Sequence, residues 1–207
     1  MEKDKIHKHI RTERMEIVEP DGTVRLSLFN SKNIPPALMD NEDILPGHRQ
    51  DTGMAGIMFY NSEGDESGGL LFSSEKRLDG GYNSGLSMTF DQYKNDQVVQ
   101  VLLDEDEKGK TYGFRVFDRN SAHIKDTVAL SKAMKETDDP EKKKEFESKL
   151  KAQNVLRMHA GKDRDGSVGV NLYDKQGKQR IRLYIDNDDM PRFEIFDAEG
   201  NVKHKLQ

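Results

Sequence analysis

Two short stretches hold most of the groups able to do chemistry. Glu63-Gly64-Asp65-Glu66-Ser67-Gly68-Gly69 sets three carboxylates beside a glycine-rich run, and Asp91-Gln92-Tyr93-Lys94-Asn95-Asp96-Gln97 crowds hydrogen-bonding side chains between two strongly β stretches. If Asp65, Glu66 and Asp91 stand at adjacent strand ends, two carboxylates in unlike surroundings can serve as acid and base, as in glycoside hydrolysis, or hold a hard cation such as Ca²⁺ or Mg²⁺. The structural alternative is a turn running into a glycine-rich strand, with solvated acids beside it. In the second stretch Tyr93 is the candidate anchor of a recognition loop, with Gln92 and Asp96 as further ligand-binding candidates. The alternative there is a polar hairpin tip reversed at Asn95-Asp96.

Histidine adds one candidate. His7, His9 and His204 lie near the termini, and His48, His123 and His159 are isolated from one another, with no His-x-x-x-His or Glu-x-x-His spacing to suggest a metal site. His48, in an unpatterned stretch, is the histidine to watch for a catalytic role, against a plain surface position. Asp163-Arg164-Asp165-Gly166 opens like a calcium loop but lacks the downstream acidic ligands, so a turn is expected. Gly68-Gly69 and Gly80-Gly81 lack the spacing of a phosphate loop and fit bulges or close backbone approach. Arg180, Arg182 and Arg192 could form a cationic ladder toward an anionic partner, or simply the water-facing side of a sheet. No metal and no cofactor is expected.

The elements that position these groups are announced by a repeat. Aromatic-(Asp/Asn)-x-x-Gly occurs as FYNSEGD at Phe59–Asp65, LYDKQGK at Leu172–Lys178 and IFDAEGN at Ile195–Asn201. Asp or Asn accepts from the backbone two residues on, and Gly supplies the positive φ that closes a hairpin. Alternating flanks such as Val168, Val170, Leu172 and Ile181, Leu183, Ile185 make each side a half-buried strand. A further hairpin is expected at Glu19-Pro20-Asp21-Gly22. Ala55–Tyr60 and Val98–Leu103 are apolar on both faces, as in strands covered on two sides.

Between Ile124 and Asn154 the period changes to that of a helix. Asp139 is the expected N-cap with Pro140 at the first position, Phe146 and Leu150 form a narrow stripe, and Glu145–Lys149 and Glu147–Lys151 are spaced as ion pairs. Four segments follow: a flexible N-terminal arm at 1–14, a β region at 15–118, a helical insertion at 119–155, and C-terminal hairpins at 156–207 that pack with 15–118 as one domain or stand apart. Within the first β region, Ser31–Gly53 has no periodicity and is expected to be functional, an arm that packs on a partner, or partly disordered.

Composition sets outer bounds. The 207-residue chain is 33% hydrophobic and 34% charged, so the core is thin; a one-sided antiparallel sheet, or an oligomer that buries a second face, suits it. No cysteine means no disulfide, no thiol nucleophile and no Cys-ligated zinc. The charged N-terminus and the lack of a long apolar run point to a cytoplasmic protein without a membrane partner, and a net charge of −5 points away from nucleic acid.

MEIVEPDGTVRLSLFN, AGIMFYNSEGDESGGLLF, LSMTFDQYKNDQVV and LYDKQGKQRIRLYI together resemble a family of bacterial proteins known only as hypothetical proteins. The likeness runs from about Thr12 onward and implies no activity, cofactor or residue role. The expected fold is mainly β: an antiparallel hairpin meander forming a sandwich or partly open barrel, with an inserted helical hairpin. The expected function is a non-enzymatic binding or assembly protein, as a homo-oligomer. The alternative is an enzyme or small-ligand or metal binder built on Asp65, Glu66 and Asp91.

Overall fold

Hairpin turns set the architecture. Among the described residues, eight connections share one hydrogen-bond pattern, starting at Glu19, Asn61, Arg77, Gln92, Asp163, Asp174, Asp186 and Asp197. In each, the first residue's N–H donates to the carbonyl four residues on, and its own carbonyl accepts from the N–H three residues on. Gly64, Gly177 and Gly200 close the three repeats at φ of 82°, 75° and 91°. Asp197 shows why Asp leads such a turn: its carboxylate accepts from the N–H groups of Glu199 and Asn201, and the Asn201 bond leads the contacts that hold its pKa down to about 2.

The computed structural model describes residues 7–206. Residues 1–6 of the expected arm, and Gln207, lie outside them; residues 7–13 are exposed and Glu13 O accepts from Asn30 N. The strands are β1 (Arg14–Val18), β2 (Val24–Phe29), β5 (Ala55–Tyr60), β6 (Glu66–Lys76), β7 (Tyr82–Asp91), β8 (Gln97–Asp106), β9 (Gly109–Arg119), β10 (Asn154–Lys162), β11 (Val168–Tyr173), β12 (Gln179–Ile185), β13 (Pro191–Phe196) and β14 (Val202–Leu206). They form one twelve-stranded antiparallel sheet in chain order, and the short β3 (Leu38–Met39) and β4 (Glu42–Asp43) pair separately. The two expected β regions therefore share one sheet, joined at the β9–β10 pairing.

The insertion between β9 and β10 is a helical hairpin, α1 (Ile124–Glu136) and α2 (Pro140–Gln153). Asp139 caps α2 by accepting from Glu141 N and Lys142 N, and both anticipated ion pairs form, Lys149–Glu145 at 2.6 Å and Lys151–Glu147 at 2.9 Å. Thr127 donates to Gln153 across the hairpin at 2.7 Å. Neither helix buries a residue fully, so the pair forms no core of its own. No described helix is long and apolar enough to cross a membrane.

The sheet is open, and no strand packs substantially against any but its hydrogen-bonded neighbours. Its two faces differ. On one, Met15, Leu28, Ile57, Leu70, Met88, Val101, Phe114, Ala160, Val170, Leu183 and Phe193 stand in register, one per strand, and the β14 position in that row is Leu206. On the other, the matching row runs Ser27, Met58, Gly69, Thr89, Gln100, Arg115, His159, Asn171, Arg182, Glu194 and Lys205. Among the described residues, every buried side chain in the main sheet, from Ser27, Phe29, Met58 and Tyr60 to Leu102, Thr111, His159, Asn171 and Glu194, lies on this second face.

What covers the second face is the stretch between β2 and β5. Pro35, Ala37 and Met39 are buried, and Ile34 and Leu38 pack on the cluster of Phe29, Met58 and Tyr60. Ser31–Gly53 thus roofs its own sheet. The expectation that β5 and β8 are covered on both sides is half met: Met58 and Leu102 are buried beneath, while Val101 on the first face is 39% exposed. The arginine ladder is neutralised locally, because Arg182 bonds Asp165 at 3.1 Å, Arg192 bonds Asp186 at 2.8 Å and Arg180 lies 3.8 Å from Asp174.

If positive φ is what the turns require, Gly177→Ala loses about 1 kcal/mol of stability in urea unfolding. Gly85→Ala, in extended backbone where an added Cβ meets only Leu103 O at 3.7 Å, loses none or gains slightly. Equal effects at the two sites would remove the glycine turns from the account of the fold.

Candidate functional site

Two β-bulges place the chemistry under the roof. Phe59 faces Gly68 but the next residue, Tyr60, faces Glu66, so Ser67 is the extra residue and Gly68 takes φ of 126°. The slip turns Glu66 from the open face to the roofed one. At the other end, Phe90 faces Val99 while Asp91 faces Gln97, and the bulge at Val98 brings Gln97 to the face already occupied by Ser87, Thr89 and Asp91. Glu66, Ser87, Thr89, Asp91 and Gln97 then line one cavity of about 460 Å³, with Asn95 and Asp96 at the turn end and His48, Arg49, Leu45 and Met54 from the roof.

Arg49 pins roof to floor. Its Nη2 donates to Glu66 Oε1 at 2.7 Å and its Nη1 to the carbonyls of Pro35 and Pro36, both at 3.4 Å. Opposite, Arg119 donates to Asp96 Oδ2 and to the Gln97 carbonyl, both at 3.0 Å, and Asn95 Nδ2 donates to the carbonyls of Asn120 and Ala122. Two acceptors are left over. Glu66 Oε2 and Asp91 Oδ1 are buried and have no hydrogen-bond partner in the protein.

Electrostatics follow from that enclosure. Burial pushes the Glu66 pKa up against the pull of Arg49. Burial, with the negative charges of Asp96 and Glu66 added to it, pushes Asp91 to about 7 despite Arg119 and Arg49. The cavity therefore presents a carboxyl that changes charge near neutrality. Among the described residues no three His, Cys, Asp or Glu groups are gathered as a metal site.

The sequence candidates divide into two places. Glu66, Asp91, Asp96 and His48 line the cavity. Asp65 does not: it is buried in a neighbouring ion network, accepting from Asp40 N at 2.6 Å and from the Lys94 ammonium. Burial opposes its ionisation, yet the bonds from Lys94 and Asp40 outweigh that and hold the carboxyl below its usual range. Lys94 also reaches Asp40 and Glu63, each at 2.6 Å, while Lys125 of α1 bridges Asp40 at 3.1 Å and Glu42 at 2.7 Å. This network ties roof, β7–β8 turn and α1 together, so Asp65 positions the cavity without facing it.

Tyr93 stands exposed outside, its hydroxyl donating to Glu63 at 2.9 Å, and Gln92 donates to Asn120 O at 3.0 Å. Neither lines the cavity. Arg49, Ser87 and Thr89 went unnoticed in the sequence. The alternation Ser87, Thr89, Asp91 could have revealed the last two as one face of a strand; Arg49 sits in an aperiodic loop that carries no such signal.

No protein-family model matches this sequence, and no curated protein matches it. What the cavity does is therefore read from its geometry.

Two expected outcomes test that geometry. In the unfolded chain Asp91 ionises near the ordinary aspartate value of 3.8, and in the fold near 7, so the native state holds the extra proton between these values and stability falls as pH rises across that window. Asp91→Asn abolishes the loss: it unfolds at higher temperature than wild type at pH 8 and gives little difference at pH 4, and equal shifts at both would place Asp91 in water. Separately, Lys94→Met strips Asp65 of its cation and destabilises, and adding Asp65→Asn recovers part of the loss; strict additivity would sever the two.

Proposed function

We propose that this is a small-ligand-binding protein whose roofed cavity takes a small organic cation, a protonated amine. The observation that carries the reading is the pair of buried, unpartnered carboxyl oxygens, Glu66 Oε2 and Asp91 Oδ1, on one cavity wall. A buried acceptor without a partner costs about 1–3 kcal/mol, and an ammonium has three donors to offer. A positive charge placed there also cancels the repulsion that Asp96 and Glu66 impose on Asp91. The volume suits a compact molecule, and Ile44, Leu45, Met54 and Leu71 supply apolar wall for its carbon chain.

Binding is linked to a proton. An amine favours the ionised form of Asp91, so affinity rises with pH through about 7 and levels off above it, where the carboxyl is already ionised. A second reading has one observation in its favour: a carboxyl titrating near 7 beside Glu66 and His48 is suited to general acid–base catalysis on the bound molecule. Loss of turnover with retained binding in Asp91→Asn would distinguish it. Asp65 drops out of both readings.

Ethanolamine, 1,4-diaminobutane and glucosamine are the probes, with glycerol and glucose as neutral comparators, in thermal-shift and calorimetric titrations. Amines are expected to stabilise more at pH 7.5 than at pH 5.5 and to release protons on binding, and Asp91→Asn to weaken binding about tenfold, the ~1.4 kcal/mol of one charge-assisted hydrogen bond. A panel in which no amine outperforms its neutral comparator at either pH would defeat the assignment.

A further inference from the structure

The open face of the sheet is on the opposite side from the cavity, and what it requires is independent of any ligand there. Fourteen large apolar or aromatic side chains on it, from Met15 on β1 to Ile185 on β12, are each 37–56% exposed. Phe72, Phe90, Val168 and Leu183 are about half exposed. At roughly 80 Å² apiece, fourteen such side chains present on the order of 1,100 Å², beyond the largest patch of an ordinary monomer and above the ~800 Å² that each partner gives to a standard interface. The whole chain exposes 13965 Å² at 23.7 kDa, where a compact monomer of that mass exposes about 9,800 Å².

We propose that this face is the interface of a homodimer, two copies stacking open face to open face as the two layers of a β-sandwich. A second copy fits for three reasons. The area is what a stable dimer needs. The central row is apolar in every strand, so under a two-fold axis it meets its own kind with no charge opposed to like charge. Edge-to-edge growth is discouraged, because edge strand β1 carries the Arg14–Glu16 pair and edge strand β14 carries Lys203 and Lys205, paired to Asp197 and Glu194. Aligned sheet packing at about 10 Å spacing lets the exposed rings and branched side chains interdigitate. The roofs and helical hairpins then lie on the outside of the dimer.

The test is the mass in solution, by light scattering and sedimentation of the full chain. Twice 23.7 kDa is expected for wild type, and half of that for the double variant Phe114→Glu/Val170→Glu with its β circular dichroism retained. Should that variant fail to fold, the absence of cysteine allows a gentler probe. In separate chains, Val170→Cys and Lys144→Cys report the open face and the exposed side of α2 by their rates of maleimide labelling. The Val170→Cys rate is expected to fall several-fold as protein concentration rises through the dimerisation range, while Lys144→Cys stays constant. A wild-type chain of 23.7 kDa at high micromolar concentration, with both cysteines labelling alike at all concentrations, overturns the proposal. So does a monomer that covers this face with lipid or with another protein.

Discussion

A β-sheet one layer thick has two sides, and each must be either polar enough for water or covered. Alternation along the strands gives this sheet one side whose central row is apolar in every strand, and another whose matching row is polar from β7 onward. The chain spends its one long irregular segment on the second. Burying Pro35, Ala37 and Met39 over Phe29, Met58 and Tyr60 yields a small core, the few large side chains that are fully buried. Elsewhere the roofed face looks after itself with ion pairs and the Arg182–Tyr184 stack, the guanidinium 3.7 Å from the ring centre.

The cavity is a consequence of how that roof is attached. A cover built only from apolar contacts would settle flat on the strands; this one is held at its end by Arg49 on Glu66 and by the Asp40–Lys94–Asp65 network, with a hollow between. Holding carboxylates in that hollow is costly, since burial favours their neutral forms. Glu66 keeps a guanidinium in compensation. Asp91 has only more distant cations, which is why it is the group whose charge is in play.

Much of this architecture could be read before any coordinates. Gly64, Gly177 and Gly200 announced hairpins because positive φ is a local demand that few residues meet, and Asp139-Pro140 announced a helix for an equally local reason. Where the outcome turned on relations between distant residues, the residues alone were silent. Asp65 and Glu66 are adjacent in sequence yet serve different structures, because the bulge at Ser67-Gly68 and the turn at Asn61 send their side chains apart. Tyr93 resembles a binding residue by type, but its position on the outside of the β7–β8 turn keeps it from the cavity. Closure of the sheet was equally beyond sequence reading: alternation reports that one side is apolar, not whether the strands curl to hide it.

Strand neighbours in space are strand neighbours in sequence throughout the sheet, which bears on how the chain reaches its native state. Contacts of short sequence separation close quickly, and each new hairpin extends an existing edge without waiting for a remote partner. Assembly then resembles the closing of three zippers, β1–β2, β5–β9 and β10–β14, joined across only two longer gaps where the roof and the helices intervene. Such a chain lacks the single long-range nucleus of a Greek-key sandwich, and local opening of its terminal hairpins leaves the middle of the sheet standing.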